Sequence, residues 1–160
     1  MTDKQLMVTA LLVFLAALIG GIIIDRAYAA TTTADAIMEL KPGISDEWAD
    51  ELGELIDDEF TDRGLDPIFG VALCFTESGF DPKARNKSSG CAGLFQIHPV
   101  HKIPDIYDPA VNVAAGARIW HGYLERNDGD RYKALKRYGQ GSKSAKNTIR
   151  LYNELKDESK

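Results

Sequence analysis

A single glutamate, Glu77, occupies a position suited to acid–base chemistry. It follows an apolar stretch at residues 69–75 and lies just before Gly79, a residue type that commonly ends helices. A carboxyl group at the inner end of such a helix is desolvated, and its pKa rises because the charged form loses most. Cleavage of a glycosidic bond needs such an acid, because the leaving oxygen must be protonated. The pattern alone also allows an exposed last-turn glutamate.

Two neighbouring segments resemble the signature of a known enzyme family. Residues 77–84 (ESGFDPKA) and 90–97 (GCAGLFQI) are similar to the soluble-lytic-transglycosylase (SLT) domain family, within the wider goose-type lysozyme-like group. That family has a Glu-Ser pair, an aromatic-x-Pro-x-Ala segment, and Gly-Leu-Met-Gln followed by an aliphatic residue. Here Phe95 replaces the methionine. Ala134-Leu135 and residues 138–141 (YGQG) resemble its Ala-Tyr-Asn-Ala-Gly motif.

The resemblance covers roughly residues 52–155 and implies roles for four residues. Glu77 matches the single catalytic acid/base, and Ser78, Gln96 and Tyr138 match positions that support the glutamate or line the sugar cleft. The implied substrate is peptidoglycan, with no cofactor. Two of these residues have other readings: Ser78 as a helix-terminal residue bonded to its own backbone, and Tyr138 as a core aromatic.

Two departures from the family pattern bear on the reaction. The final helix has Thr148 where the family usually has a tyrosine, and His98 stands where goose-type lysozymes carry an aspartate. Hydrolysis needs a second carboxylate to activate water or to act as nucleophile. The nearby aspartates have simpler explanations in turns and caps; these are Asp81, Asp105 and Asp108. The resemblance therefore implies an intramolecular reaction that yields a 1,6-anhydro product, with hydrolysis as the alternative.

Histidines and cysteines offer two further kinds of site. His98 and His101 are spaced as a ligand pair, but Pro99 lies between them and no Cys or acid completes a set, so we expect no metal. Cys74 and Cys91 flank the Glu77 motif. In an oxidising compartment they would form a disulfide, and in a reducing one they would be ordinary thiols.

Helix start signals surround these motifs and predict a mainly α domain. Ser45 is a candidate N-cap, Asp66-Pro67 and Asp108-Pro109 pair a cap with proline at the first helical position, and Asp130 precedes a short helix that ends near Tyr138. Ser142 or Ser144 begins the last helix. Residues 79–108 lack helical periodicity, so we expect a long functional loop with a small hairpin there.

The N-terminal segment predicts a membrane anchor. Residues 6–24 contain no charge and span roughly 28 Å as a helix, enough to cross a bilayer. A cleaved signal peptide is the alternative, since Ala27-Tyr28-Ala29 forms a small-x-small cleavage site. We therefore predict an anchor or signal at 1–30, a tether at 31–44 and a lysozyme-like domain at 45–160. The domain would lie on the periplasmic side of a membrane, or in the membrane of a phage virion.

The net charge and the distribution of charged residues limit the classes of molecule that the protein could bind. The net charge of −5 argues against nucleic acid as a ligand. Acids concentrate in residues 35–66, and bases without acids in residues 131–150, a distribution expected of solvated helix faces or of a surface lying along an anionic polymer. Three functions remain: a lytic transglycosylase acting in an envelope complex or virion, a hydrolytic muramidase, and a non-catalytic glycan-binding module of such an assembly.

Overall fold

A computed structural model describes residues 32–157 of the 160-residue chain. The apolar run predicted to be an anchor or a signal peptide lies outside the described residues. Within residues 32–157, no helix is long and apolar enough to cross a membrane.

The described part of the chain is mainly helical, as predicted. The helices are α1 (Thr33–Leu40), α2 (Asp46–Thr61), α3 (Pro67–Ser78), a short 3-10 helix (Pro99–His101), α4 (Pro109–Glu125), α5 (Arg131–Tyr138) and α6 (Ser142–Asp157). The predicted caps are confirmed, because a side-chain oxygen accepts a backbone N–H bond in the first turn of α2, α3, α4 and α5; these residues are Ser45, Asp66, Asp108 and Asp130.

Helix α3 is the most deeply buried helix of the domain, with Ile68 to Cys74 inaccessible or nearly so. Helices α1, α2 and α6 pack against it. Gly70 permits the contact with α2, since a Cβ there would lie 2.8 Å from the Phe60 ring and 2.9 Å from an Ile56 methyl. On another side, the Phe69 ring stacks on Trp120 of α4 with 4.7 Å between centroids. This packing fixes the helix that ends in the Glu77-Ser78 pair.

Residues 31–44 were predicted to be a tether, partly helical at most, and the structure describes residues 32–44 of this segment. Residues 33–40 form α1, whose N-terminus carries a reciprocal capping box between Thr32 and Asp35. Ala36 and Ile37 are fully buried. The small residues that suggested a flexible linker allow close packing of α1 against α2. A Cβ atom built on Gly53 of α2 would lie only 3.1 Å from the backbone nitrogen of Ala34.

The 79–108 loop holds the second motif and is organised by a side chain of α4. In place of the predicted hairpin, the loop has two isolated β-bridges, Arg85 with Ala92 and Ala92 with Ile97. No extended β-strand occurs in residues 32–157. Buried Asn112 accepts from Phe95 N at 2.8 Å and donates to Ala92 O at 3.1 Å. It also donates to Ile106 O at 2.8 Å. One amide thus ties the two halves of the loop to α4.

Candidate active site

Glu77 lies in the last turn of α3 and is largely withdrawn from solvent. The helix ends at Gly79, whose left-handed conformation (φ 62°) turns the chain into the loop. Desolvation raises the pKa of Glu77 to about 7, against a smaller lowering by a hydrogen bond from Gln140. The carboxyl therefore holds a proton near neutrality and can release it, as the sequence interpretation requires.

Gln140 was not among the predicted site residues, yet it contacts the carboxyl directly. Its Nε2 donates to Glu77 Oε1 at 2.9 Å, and its Oε1 accepts from Thr148 at 3.0 Å. Both residues are buried. In the sequence, Thr148 departs from the family pattern and Gln140 lies in the segment that resembles the Ala-Tyr-Asn-Ala-Gly motif. Their proximity to Glu77 depends on the packing of α6 against α3.

A cavity of about 460 Å³ opens beside the glutamate. It brings together three of the four predicted site residues, Glu77, Gln96 and Tyr138. The other lining residues are Asn86, Ser89, Cys91, His98, Val100, His101, Tyr123, Arg137 and Gly139. Among the described residues that line the cavity, Glu77 is the only acidic one. Arg137 contributes a positive charge to the same lining.

Gln96 is held in the cavity wall by its own amide nitrogen. Its backbone adopts a left-handed conformation (φ 45°), and Nε2 donates to Gly93 O at 2.9 Å and Ala84 O at 3.2 Å. The side chain is therefore fixed before any ligand binds. The side-chain carbonyl oxygen of Gln96 accepts no hydrogen bond from residues 32–157. Since every buried side-chain polar atom among these residues has a partner, this oxygen is exposed and can accept a hydrogen bond from a ligand.

Tyr138 joins the loop to the helices behind it. Its hydroxyl donates to Phe95 O at 2.9 Å, and its ring packs edge-on against Trp120 and Tyr123, with centroids 6.5 and 6.2 Å away. Burial, and then the nearby Glu77, raise the pKa of the Tyr138 phenol, so it stays protonated. Tyr138 thus lines the cavity and also packs as a core aromatic, so that both sequence interpretations describe part of its environment.

The structure does not bring Ser78 into the cavity. Its hydroxyl donates to Cys74 O at 3.2 Å, one turn back along α3. This is the backbone contact that we considered as the alternative to a substrate-binding role. The geometry therefore places Ser78 in the helix terminus.

Both cysteines are free thiols in the structure, which corresponds to the reduced one of the two alternatives considered for them. Cys74 is buried in α3 and directs its Sγ to Leu94 O at 3.6 Å. Burial raises the pKa of this thiol, which makes it a poor nucleophile. Cys91 is half-buried and lines the cavity. The loop is held near α3 by hydrogen bonds and packing.

The aspartates near the motif have structural tasks. Asp81 Oδ1 accepts from Lys83 N at 2.8 Å in a turn, and Asp108 caps α4 through Val111 N at 3.0 Å. Asp105 lies in an exposed turn with φ 48° and does not line the cavity. Residues 32–157 contain no group of three His, Cys, Asp or Glu side chains that would hold a metal ion. Glu77 is therefore the one carboxyl group that the described residues place in this cavity, where the imidazoles of His98 and His101 also lie.

Two side chains from the N-terminal part of the domain brace the turn after Glu77. Lys41 Nζ donates to Gly79 O at 2.8 Å, and Trp48 Nε1 donates to Phe80 O at 3.3 Å. A lysine at this position also interacts favourably with the negative end of the α3 dipole. These contacts connect α1 and α2 to the C-terminal end of α3.

Comparison with known proteins identifies the family. No solved structure matches the chain. The family model described as transglycosylase SLT domain matches residues 54–160, about two thirds of the chain. The match includes Glu77, the loop, and the Gln140 and Thr148 contacts, and it begins after α1 and the first half of α2. The chain therefore belongs to the transglycosylase SLT domain family, and its function is of the peptidoglycan-acting, lytic-transglycosylase type.

Proposed function

We propose that the protein is a lytic transglycosylase that cleaves the β-1,4 bond between MurNAc and GlcNAc in peptidoglycan and forms 1,6-anhydro-MurNAc. The observation that carries this proposal is a lone half-buried carboxyl group of raised pKa in a cavity without a second acid. A hydrolase acting by inversion or by a carboxylate nucleophile would need that second acid.

One carboxyl group suffices for the proposed reaction because the substrate supplies the nucleophile. Glu77 first donates its proton to the glycosidic oxygen as the bond to C1 breaks. The resulting carboxylate then accepts the proton of the muramyl 6-hydroxyl, whose oxygen bonds to C1. The glutamate ends in its starting protonation state, and no water is consumed. A pKa of about 7 suits both steps, since neither the acid nor the base form is strongly disfavoured.

Two other functions define the alternatives. A muramidase would use water held in the same cavity, and a glycan-binding module would bind the strand without cleaving it. The second alternative does not explain why this half-buried carboxyl group has a raised pKa. An ionised carboxylate is costly to bury, and a binding site has no need for one of raised pKa.

We further propose that residues 6–24 anchor the enzyme in a membrane, with the catalytic domain outside the cytoplasm or in a phage virion. Its partners would be peptidoglycan strands, the membrane and other components of an envelope complex or virion, where it opens the wall locally. A chain beginning near Thr31 should then be soluble and active, while the full-length chain needs detergent. Native protein recovered in the soluble fraction and beginning at Ala30 would instead indicate signal cleavage after Ala29.

Glu77→Gln tests the catalytic proposal. The variant keeps the size of the side chain and the acceptor for Gln140 but cannot donate or take up a proton. We expect muropeptide release from purified sacculi to fall by about 100- to 10,000-fold. Glu54→Gln, which removes an exposed acid from α2, serves as the matched control and should keep full activity. Near-native release by Glu77→Gln would refute the assignment.

A further inference from the structure

The contacts of Gln140 define which way its amide faces. Gln140 is 6% exposed and Thr148 is fully buried, so water does not compete for their hydrogen bonds. An ionised Glu77 only accepts hydrogen bonds, which means that the Nε2 donor of Gln140 must face it. The amide oxygen then needs a donor, and the Thr148 hydroxyl supplies it at 3.0 Å. The same hydroxyl lies farther, at 3.3 Å, from Ser144 O in its own helix.

The two oxygens of Glu77 are consequently not equivalent. Oε1 accepts from Gln140 at 2.9 Å. Oε2 has no hydrogen-bond partner among residues 32–157. It is not a buried atom without a partner, so it is an accessible oxygen of a residue that lines the cavity. A proton placed on Oε1 would use one of its lone pairs and leave a hydroxyl oxygen, which accepts the Gln140 N–H more weakly than a carbonyl oxygen does. In the protonated state, the proton therefore belongs on Oε2.

We propose that Gln140 and Thr148 form a positioning pair that occupies Oε1 of Glu77 and leaves Oε2 as the oxygen that delivers and recovers the proton; this inference rests on the proposed function. Thr148 orients the amide, and the amide orients the carboxyl group. Thr148 stands where the resemblance to the family leads us to expect a tyrosine. Neither residue lines the cavity, so each acts through Glu77 and not on the glycan.

Substitutions at Thr148 separate positioning from packing. Thr148→Val keeps the volume and removes the hydroxyl, whereas Thr148→Ser keeps the hydroxyl and removes a buried methyl group. If packing mattered most, serine would be the more harmful change. If positioning of the Gln140 amide matters most, Thr148→Val should be the more harmful change. Thr76→Val is the matched control, because the Thr76 hydroxyl bonds only Ala72 O, within its own helix. Gln140→Leu removes the amide itself.

The test combines turnover with a measurement that does not need activity. In full-length protein in detergent, the pKa of Glu77 is followed by carbon-13 NMR of labelled glutamate, with Glu77→Gln identifying the signal. We expect Thr148→Val and Gln140→Leu to lower turnover on sacculi by about 10- to 100-fold. Both should also raise the pKa of Glu77, because the Gln140 hydrogen bond lowers it. Thr148→Ser should restore both quantities relative to Thr148→Val, and Thr76→Val should change neither.

The outcomes distinguish this inference from the proposed function. If Glu77→Gln is inactive while folded Thr148→Val keeps turnover within about twofold and an unchanged Glu77 pKa, the positioning pair is refuted and the catalytic assignment stands. Greater loss in Thr148→Ser than in Thr148→Val would likewise refute it in favour of packing. If Gln140→Leu fails to fold, the Thr148 variants still decide the question. Full activity of Glu77→Gln would overturn the proposed function itself.

Discussion

Replacing Glu77 with glutamine should stabilise the folded domain in a pH-dependent manner. Folding raises the pKa of this carboxyl group from 4.5 to about 7 because burial disfavours the ionised form. Between these values the folded state binds more protons than the unfolded chain, so the free energy of unfolding falls as pH rises through this window. At about 1.4 kcal/mol per pH unit, burying the ionised carboxylate costs about 3 kcal/mol above pH 7.

Glu77→Gln removes this cost while keeping an oxygen that accepts from Gln140. Below about pH 4.5 the wild-type carboxyl is neutral, so the variant and wild type should have nearly equal free energies of unfolding. Near pH 8 the variant should be more stable by about 3 kcal/mol. Glu54→Gln, an exposed change on α2, should show no such pH dependence.

Urea unfolding followed by tryptophan fluorescence measures this difference at both pH values. The two tryptophans, Trp48 and Trp120, both lie in the helical domain, so the signal reports its unfolding in the full-length chain. A stability difference between Glu77→Gln and wild type that is the same at about pH 4 and about pH 8 would refute the argument. It would mean that Glu77 titrates as an ordinary exposed glutamate.

Three further outcomes are expected. Turnover should decline as pH rises through about 7, because deprotonated Glu77 cannot protonate the leaving oxygen; a pH–rate profile that is flat from 6 to 8 contradicts this. In native protein a thiol reagent should label half-buried Cys91 and reach Cys74 only on unfolding, and no reaction at either site without a reductant would indicate a disulfide. Ile37→Ala should lower the free energy of unfolding by about 2–5 kcal/mol, whereas Val100→Ala, at a 68% exposed position, should have little effect on it. Equal effects of the two substitutions would indicate that α1 does not contribute to the core.

Helix positions were predictable because their signals are local. A cap such as Asp66 and the proline after it act within one turn, so adjacent residues are enough to locate the start of α3. The position of Glu77 at the end of an apolar helix follows from the same local pattern. Its resemblance to a family motif then linked Gln96 and Tyr138 to it across the chain, and the structure places all three around one cavity.

Contacts between distant residues were not predictable in the same way. Gln140 reaches Glu77 across 63 positions, and Asn112 reaches Phe95 across 17, through the packing of helices and not through any local pattern. The packing of α1 against the domain was not predicted, because small residues occur both in linkers and in close helix contacts. Only the burial of Ala36 and Ile37 distinguishes the two cases.

The fate of solvent oxygen in the reaction tests the central claim most directly. Purified sacculi are digested in oxygen-18 water by wild-type protein and by Glu77→Gln, and the released muropeptides are analysed by mass spectrometry. We predict that wild type releases 1,6-anhydro products, lighter by one water than reducing-end products and free of oxygen-18, and that Glu77→Gln releases almost none. Reducing-end products that carry oxygen-18 would contradict the transglycosylase assignment and identify the enzyme as a muramidase.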